Sequence, residues 1–108
     1  MDKKIKAKWL KALRSGEYKQ AKGYLKRAKV GYCCLGVLTD IYLKETGGKW
    51  AGDLPSAGEL PEEVCKWAGL RRNDPKCGRR SLADHNDGGI DRPGKRFPEI
   101  ADLIAKYL

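Results

Sequence analysis

The chain has 108 residues, 41% of them hydrophobic, with 23 Lys and Arg against 14 Asp and Glu and a formal net charge of +9. That length suits one domain, 1–108, and three Trp, five Tyr and many aliphatic residues supply its core, which excludes a chain disordered throughout. No apolar run approaches the roughly 20 residues of a membrane span, and the charged start lacks the apolar stretch of a secretory signal.

Ile5, Trp9, Leu10 and Leu13 recur at helical spacing among lysines, which predicts an amphipathic first helix. Asp2 stands near its positive end and Ser15-Gly16 where it should stop. From Glu17 to Tyr32 the helical period fades, and Tyr18, Tyr24, Leu25, Val30 and Tyr32 alternate with polar residues. Two short strands, near 23–27 and 30–34, are predicted with a turn at Ala28-Lys29. Leu35, Val37, Leu38, Ile41 and Tyr42 then resume a helix that is apolar on more than one face, so it should be the most buried one. Gly36 costs that helix about 1 kcal/mol relative to alanine, and close approach of another backbone would compensate. Gly47-Gly48 should end it.

Residues 49–60 read as loop, with Trp50 packed and Gly52, Pro55 and Gly58 breaking any pattern. Pro61, Glu62 and Glu63 open a short helix that turns Val64, Trp67 and Ala68 inward and stops at Gly69, with Leu70 closing over it. A basic loop follows, then a single helical turn at 81–85 and a turn signal at Asn86-Asp87-Gly88-Gly89. The last helix begins at Phe97-Pro98-Glu99 and presents Ile100, Leu103, Ile104 and Tyr107 as its apolar face. The predicted fold class is α+β: a small, helix-dominated single domain with a short antiparallel β-hairpin between the first and second helices.

Charge is segregated along this plan. Residues 1–32 hold eleven Lys and Arg against two acids, whereas 33–108 hold twelve of each sign. A lysine-rich solvated face explains this economically; an anionic partner explains it functionally. A second basic group, Arg71, Arg72, Lys76, Arg79 and Arg80, would favour the anionic partner if folding joined it to the first.

Enzymatic and metal chemistry find less purchase. Cys33, Cys34, Cys65 and Cys77 form no CxxC and no zinc-finger spacing. They read as reduced thiols packed in the core, a Cys65–Cys77 disulfide being open by count alone. A nucleophile–base set can be drawn from Cys33 or Cys34 with His85 and Asp84 or Asp87, but spacing does not demand it, and His85 reads as a surface or turn residue. Walker and dinucleotide glycine loops are absent. Gly88-Gly89 usually makes a turn rather than an anion nest, and Asp84, Asp87 and Asp91 lack the calcium-loop register. The stretch from Asn86 to Tyr107 has the start of a helix-turn-helix without the further helix that would enter a groove. No cofactor, metal or catalytic residue is expected, and no membrane partner.

The pattern Trp9…Ala12-Leu13-Arg14-Ser15-Gly16-Glu17-Tyr18-Lys19-Gln20, then Gly31-Tyr32-Cys33-Cys34-Leu35-Gly36-Val37-Leu38, resembles a group of small tailed-bacteriophage accessory proteins. The similarity continues at Leu60-Pro61, Val64, Trp67-Ala68-Gly69-Leu70, Asn86-Asp87-Gly88, and Phe97 with Glu99-Ile100-Ala101-Asp102, with a longer Arg- and Gly-rich insert before Phe97. The resemblance implies a phage protein acting in the host cytoplasm and brings no catalytic residues with it. The expected function is non-enzymatic, countering host defence by binding an anionic partner such as a nucleotide immune signal, with an oligomer interface as one setting. Lys19, Lys22, Arg71 and Arg72 would neutralise phosphates, Tyr18 or Tyr24 would stack on a base, and Gln20 and Asn86 would read its edge. The rivals are a basic face that covers a host defence enzyme, and a non-specific nucleic-acid-binding module.

Overall fold

The computed structural model describes residues 1–56 and 59–108, so the expectation for Gly58 lies outside the described residues. The fold is α+β and helix-dominated, with a small antiparallel sheet. Helix α1 spans Lys3–Ser15. Asp2 caps it by accepting the Ile5 N–H at 2.9 Å, and Gly16 ends it in the left-handed region. Its inward stripe is Ile5, Trp9 and Leu13, one residue per turn, and the Trp9 indole donates to the Cys34 carbonyl at 3.0 Å. Burying an aromatic ring while satisfying its N–H ties α1 to the start of the central helix.

The hairpin forms between the first two helices as expected, from β1 (Tyr24–Arg27) and β2 (Gly31–Tyr32). Lys29, at φ 64°, takes its tight turn. The second strand is shorter than the 30–34 prediction. It stops at Tyr32 because Cys33 becomes an N-cap, its sulfur accepting the Gly36 N–H at 3.4 Å, and α2 (Cys34–Thr46) begins at the next residue. A third strand, β3 (Leu54–Pro55), pairs with the other edge of β1, where only loop was expected. Two residues flanked by Asp53 and Ser56 carry too little apolar alternation to announce a strand.

α2 is the buried centre, with Leu35, Val37 and Leu38 fully inaccessible. The cost of Gly36 has the anticipated compensation: a Cβ there would overlap the Leu25 carbonyl oxygen of β1. The helix therefore lies directly on the strand backbone, and only glycine permits it.

Helix α3 (Glu62–Ala68) is capped by Pro61, one position before the first-turn site expected of that proline, and ends at Gly69 with Leu70 N–H bonded to the Cys65 carbonyl. Val64 and Ala68 are buried, as is Cys65, while Trp67 packs edge-on to Tyr42 and stays half-buried. The basic stretch is not all loop. β4 (Lys76–Cys77) and β5 (Arg80–Ser81) form a hairpin that turns on Gly78 at φ 77°. Helix α4 (Leu82–Asp87) follows under a Ser81 cap and runs two residues past the expected 81–85, absorbing Asn86 and Asp87. Helix α5 (Phe97–Tyr107) buries Phe97, Ile100, Ala101 and Ile104; Tyr107, expected on its apolar face, is 47% exposed.

α1 and α5 pack antiparallel: Lys6 donates to the Ala105 carbonyl near the end of α5, and Leu13 shares a cavity wall with Phe97 at its beginning. No helix among the described residues is long and apolar enough to cross a membrane.

Gly36→Ala should lower stability by about 3 kcal/mol or more, because backbone rather than a mobile side chain must give way. Gly89→Ala, with open space around the new methyl, should change it by at most about 1 kcal/mol. Urea unfolding of both variants checks the contrast.

Candidate functional site: a basic cleft on an asparagine clasp

Asn86, expected in a turn and reading a ligand's edge, is completely buried at the end of α4. Its Oδ1 accepts from the Cys34 N–H at 3.1 Å and from Gln20 Nε2 at 2.9 Å. Its Nδ2 donates to the Ala21 carbonyl and to Asp87 Oδ1, each at 2.9 Å. Donors and acceptor are thus consumed inside the protein, and no polar atom of this side chain remains for a base. Both Nε2 donors of Gln20 are used as well, the second going to the Lys95 carbonyl at 2.7 Å. Asp87 extends the clasp by accepting the Gly23 N–H at 3.1 Å.

The clasp sets the positions of cations. Lys95 is held on both sides of its backbone, its N–H bonding the His85 carbonyl at 2.7 Å and its carbonyl taken by Gln20. Loop 88–96 lies flat on the end of α4, since a Cβ at Gly94 would overlap the Asn86 carbonyl oxygen and one at Gly88 would overlap Gly94. Two adjoining cavities result, of about 500 and 290 Å³, sharing Gln20 and Arg96. Lys19, Lys22, Lys95 and Arg96 line them together with Arg14, and no acid does. Arg14 is paired with Asp102 at 2.8 Å; the other four form no ion pair among the described residues. Val30, 44% exposed, and Phe97 and Pro98 supply an apolar wall. The wall includes the start of α5, whose dipole adds positive potential, partly offset by Glu99, which accepts the Arg96 N–H.

Of the residues predicted from sequence, Tyr18, Lys19, Gln20 and Lys22 come together here. Arg71 and Arg72 do not. They line a different cavity with Tyr107, at the opposite end of the α1–α5 pair. Thirteen helical residues separate those ends by about 20 Å, so early lysines and later arginines form no single recess. Tyr24 lines neither cavity of the cleft; Arg27 covers its ring at 5.2 Å. Lys95 and Arg96 went unrecognised in the sequence, although two cations directly before a proline-bearing helix start are a readable sign.

Tyr18 is fixed rather than free to reorient. Its hydroxyl donates to Asp40 Oδ2 at 2.6 Å, and its ring meets Tyr32 edge-on at 5.1 Å. Asp40 also accepts from Trp50 Nε1 at 2.9 Å and pairs with Lys44 at 3.1 Å. Burial and the Asp40 bond push the Tyr18 phenol up to about 12. Burial would raise Asp40 as well, but the bonds from Tyr18, Trp50 and Lys44 outweigh it and hold the carboxyl below its usual value.

The cysteines are not placed as nucleophiles. All four are buried thiols, so no Cys65–Cys77 bridge exists. Burial raises Cys33 and Cys77 to about 11, Cys34 well above its ordinary value, and Cys65 to a lesser extent. His85 is not at the surface but 6% exposed, its Nε2 bonding the Cys77 carbonyl at 2.9 Å. Its Nδ1 is the one buried side-chain polar atom without a partner among the described residues. The Gly88 and Gly89 N–H groups bond the Asp84 and Arg92 carbonyls, which leaves no nest for an anion. No group of three or more His, Cys, Asp or Glu among the described residues is placed to hold a metal ion.

The chain belongs to the family described as Domain of unknown function (DUF8296), whose model matches residues 1–108. No curated protein and no solved structure matches it.

The Asp40 network sets a pH dependence. A carboxyl held low in the fold stabilises above its ordinary value near 3.8, and that contribution is lost as pH falls through the folded value. The raised phenol stabilises below 10 and is lost as pH rises through about 12. Tyr18→Phe should cost about 1.5 kcal/mol, the low end for a bond to a charged group because the pair reaches solvent. It should move acid unfolding to higher pH and remove the highest-titrating phenol from an ultraviolet titration.

Proposed function

We propose that this member of the family is a non-enzymatic binding protein whose cleft takes a phosphate-bearing ligand of nucleotide type. The observation that carries the reading is the convergence of Lys19, Lys22, Lys95 and Arg96, without ion-pair partners among the described residues, around a cleft that no acid lines. Four uncompensated cations raise the local potential and favour a polyanion over a neutral molecule. Phosphates would rest on the lysines and the Arg96 fork, and the ligand's flat part against Val30, Phe97 and Pro98. Because the clasp fixes the backbone of Lys95 and the segment carrying Lys19 and Lys22, little ordering is required on binding. The phage resemblance of the segment around Cys33 and Cys34 supports a role as an accessory protein in the host cytoplasm, withholding a nucleotide immune signal from host defence.

A host protein as partner is the second reading, and Ile90 favours it. This side chain is fully exposed at the tip of the Gly89–Arg92 turn, on the loop that supplies Lys95 and Arg96 to the cleft. An apolar tip on the loop that bears the cleft's Lys95 and Arg96 suits an acidic protein surface with an apolar dent.

Calorimetric titration with cyclic and linear nucleotides separates the readings. The nucleotide reading expects saturable heat that weakens as salt rises. Lys19→Ala or Lys95→Ala should lose about tenfold or more in affinity each, and Ile90→Asp should bind as the parent does. Absence of heat and of thermal shift with every nucleotide would contradict it.

A further inference from the structure

We propose that Arg71, Arg72 and Lys76 build a second site, separate from the cleft, for a phosphomonoester carried on a planar ring system, the size of a nucleoside monophosphate. These three cations line a cavity of about 440 Å³ with Leu70, Pro75 and Tyr107. That volume falls within the about 300–1,000 Å³ of small-molecule sites. No acidic side chain lines it, although Leu108 brings the negative end of α5 to its wall, and none of the three cations has an ion-pair partner among the described residues.

The loop that carries the cations is held in place, not loose. Leu70 N–H bonds the Cys65 carbonyl, Asn73 exchanges bonds with Leu60 through its carbonyl at 2.7 Å and its side-chain amide at 3.1 Å, and the Pro75 carbonyl accepts from Leu82 at 2.9 Å. Asp74, the acid nearest in sequence, is turned away, its Oδ1 accepting the Ala83 N–H at 3.0 Å. The backbone is therefore set before any ligand arrives, while both arginine side chains stay exposed and able to close on an anion.

Charge decides the ligand's head group. A phosphomonoester carries about two negative charges at neutral pH and offers three oxygens to two guanidinium forks and an ammonium. A carboxylate, with one charge and two oxygens, would leave most of this potential uncompensated. The walls decide its body. Leu70, Pro75 and the half-exposed Tyr107 ring offer apolar area and an aromatic surface, and the Tyr107 ring edge rests beside Gly78, where a Cβ would sit in van der Waals contact with its hydroxyl at 3.7 Å. Lys106 Nζ stands 5.2 Å from the Tyr107 ring centroid, and the exposure of this ring, unexpected for a helix face read as core, leaves surface for a stacking partner.

The test is a two-dimensional amide NMR titration with adenosine 5′-monophosphate, with inorganic phosphate and adenosine as separate arms. The proposal expects saturable shifts at Leu70, Arg71, Arg72 and Lys76. Their affinity should fall at least tenfold in the Arg71→Ala/Arg72→Ala double variant and stay unchanged in Lys19→Ala/Lys95→Ala. Tyr107→Ala should weaken the nucleotide at least threefold and leave inorganic phosphate unaffected. Shifts confined to the Lys19 and Lys95 region would overturn this site while leaving the cleft standing. Shifts at Arg71 and Arg72 that survive the double arginine variant, or inorganic phosphate binding as tightly as the nucleotide, would overturn it too.

Discussion

One buried carboxamide holds together three stretches of chain that are distant in sequence. Asn86 satisfies the Cys34 N–H at the start of the central helix, the Ala21 carbonyl ahead of the sheet, the Gln20 amide and the neighbouring Asp87. The Cys34 N–H and the Ala21 carbonyl would otherwise be polar groups shut away from water, at a cost of about 1–3 kcal/mol apiece. The hydrophobic cluster of Trp9, Leu35, Leu38, Ile100 and Ile104 drives collapse, but it is not directional. The clasp is what selects one arrangement of the 19–23 segment against loop 88–96, and that arrangement brings Lys19, Lys22, Lys95 and Arg96 to one cleft.

This division of labour explains how so basic a chain tolerates its own charge. The α1 lysines are mostly spread on an exposed helix face, where solvent screens them, and Lys8 and Arg14 have carboxylate partners in Glu45 and Asp102. Two groups of cations without ion-pair partners among the described residues lie at opposite ends of the α1–α5 pair, one held by the clasp and one by the segment that follows α3. Cations gathered on a fixed backbone repel one another, and a bound anion would relieve that repulsion.

The helices were legible because each carries its own signals. Trp9 and Leu13 repeat at helical spacing, Asp2 caps, and Gly16, Gly47 and Gly69 stop. Even the need for Gly36 to meet another backbone could be read, though not that its neighbour would be Leu25. What stayed hidden depends on partners far along the chain. β3 exists only because β1 offers it an edge, and Asn86 followed by Asp-Gly-Gly spells a turn as readily as a helix end. Its burial is decided by groups 52 to 66 residues away. The separation of Arg71 and Arg72 from Lys19 was likewise invisible, because composition records charge and not position.

Urea unfolding of Asn86→Ala tests the clasp most directly. The account predicts a loss of at least about 3 kcal/mol, since the substitution strands the Cys34 N–H and the Ala21 carbonyl in the interior and opens a cavity beside them. A loss under about 1 kcal/mol would mean that apolar packing alone fixes the fold, and that the cleft's cations are positioned by something other than this side chain.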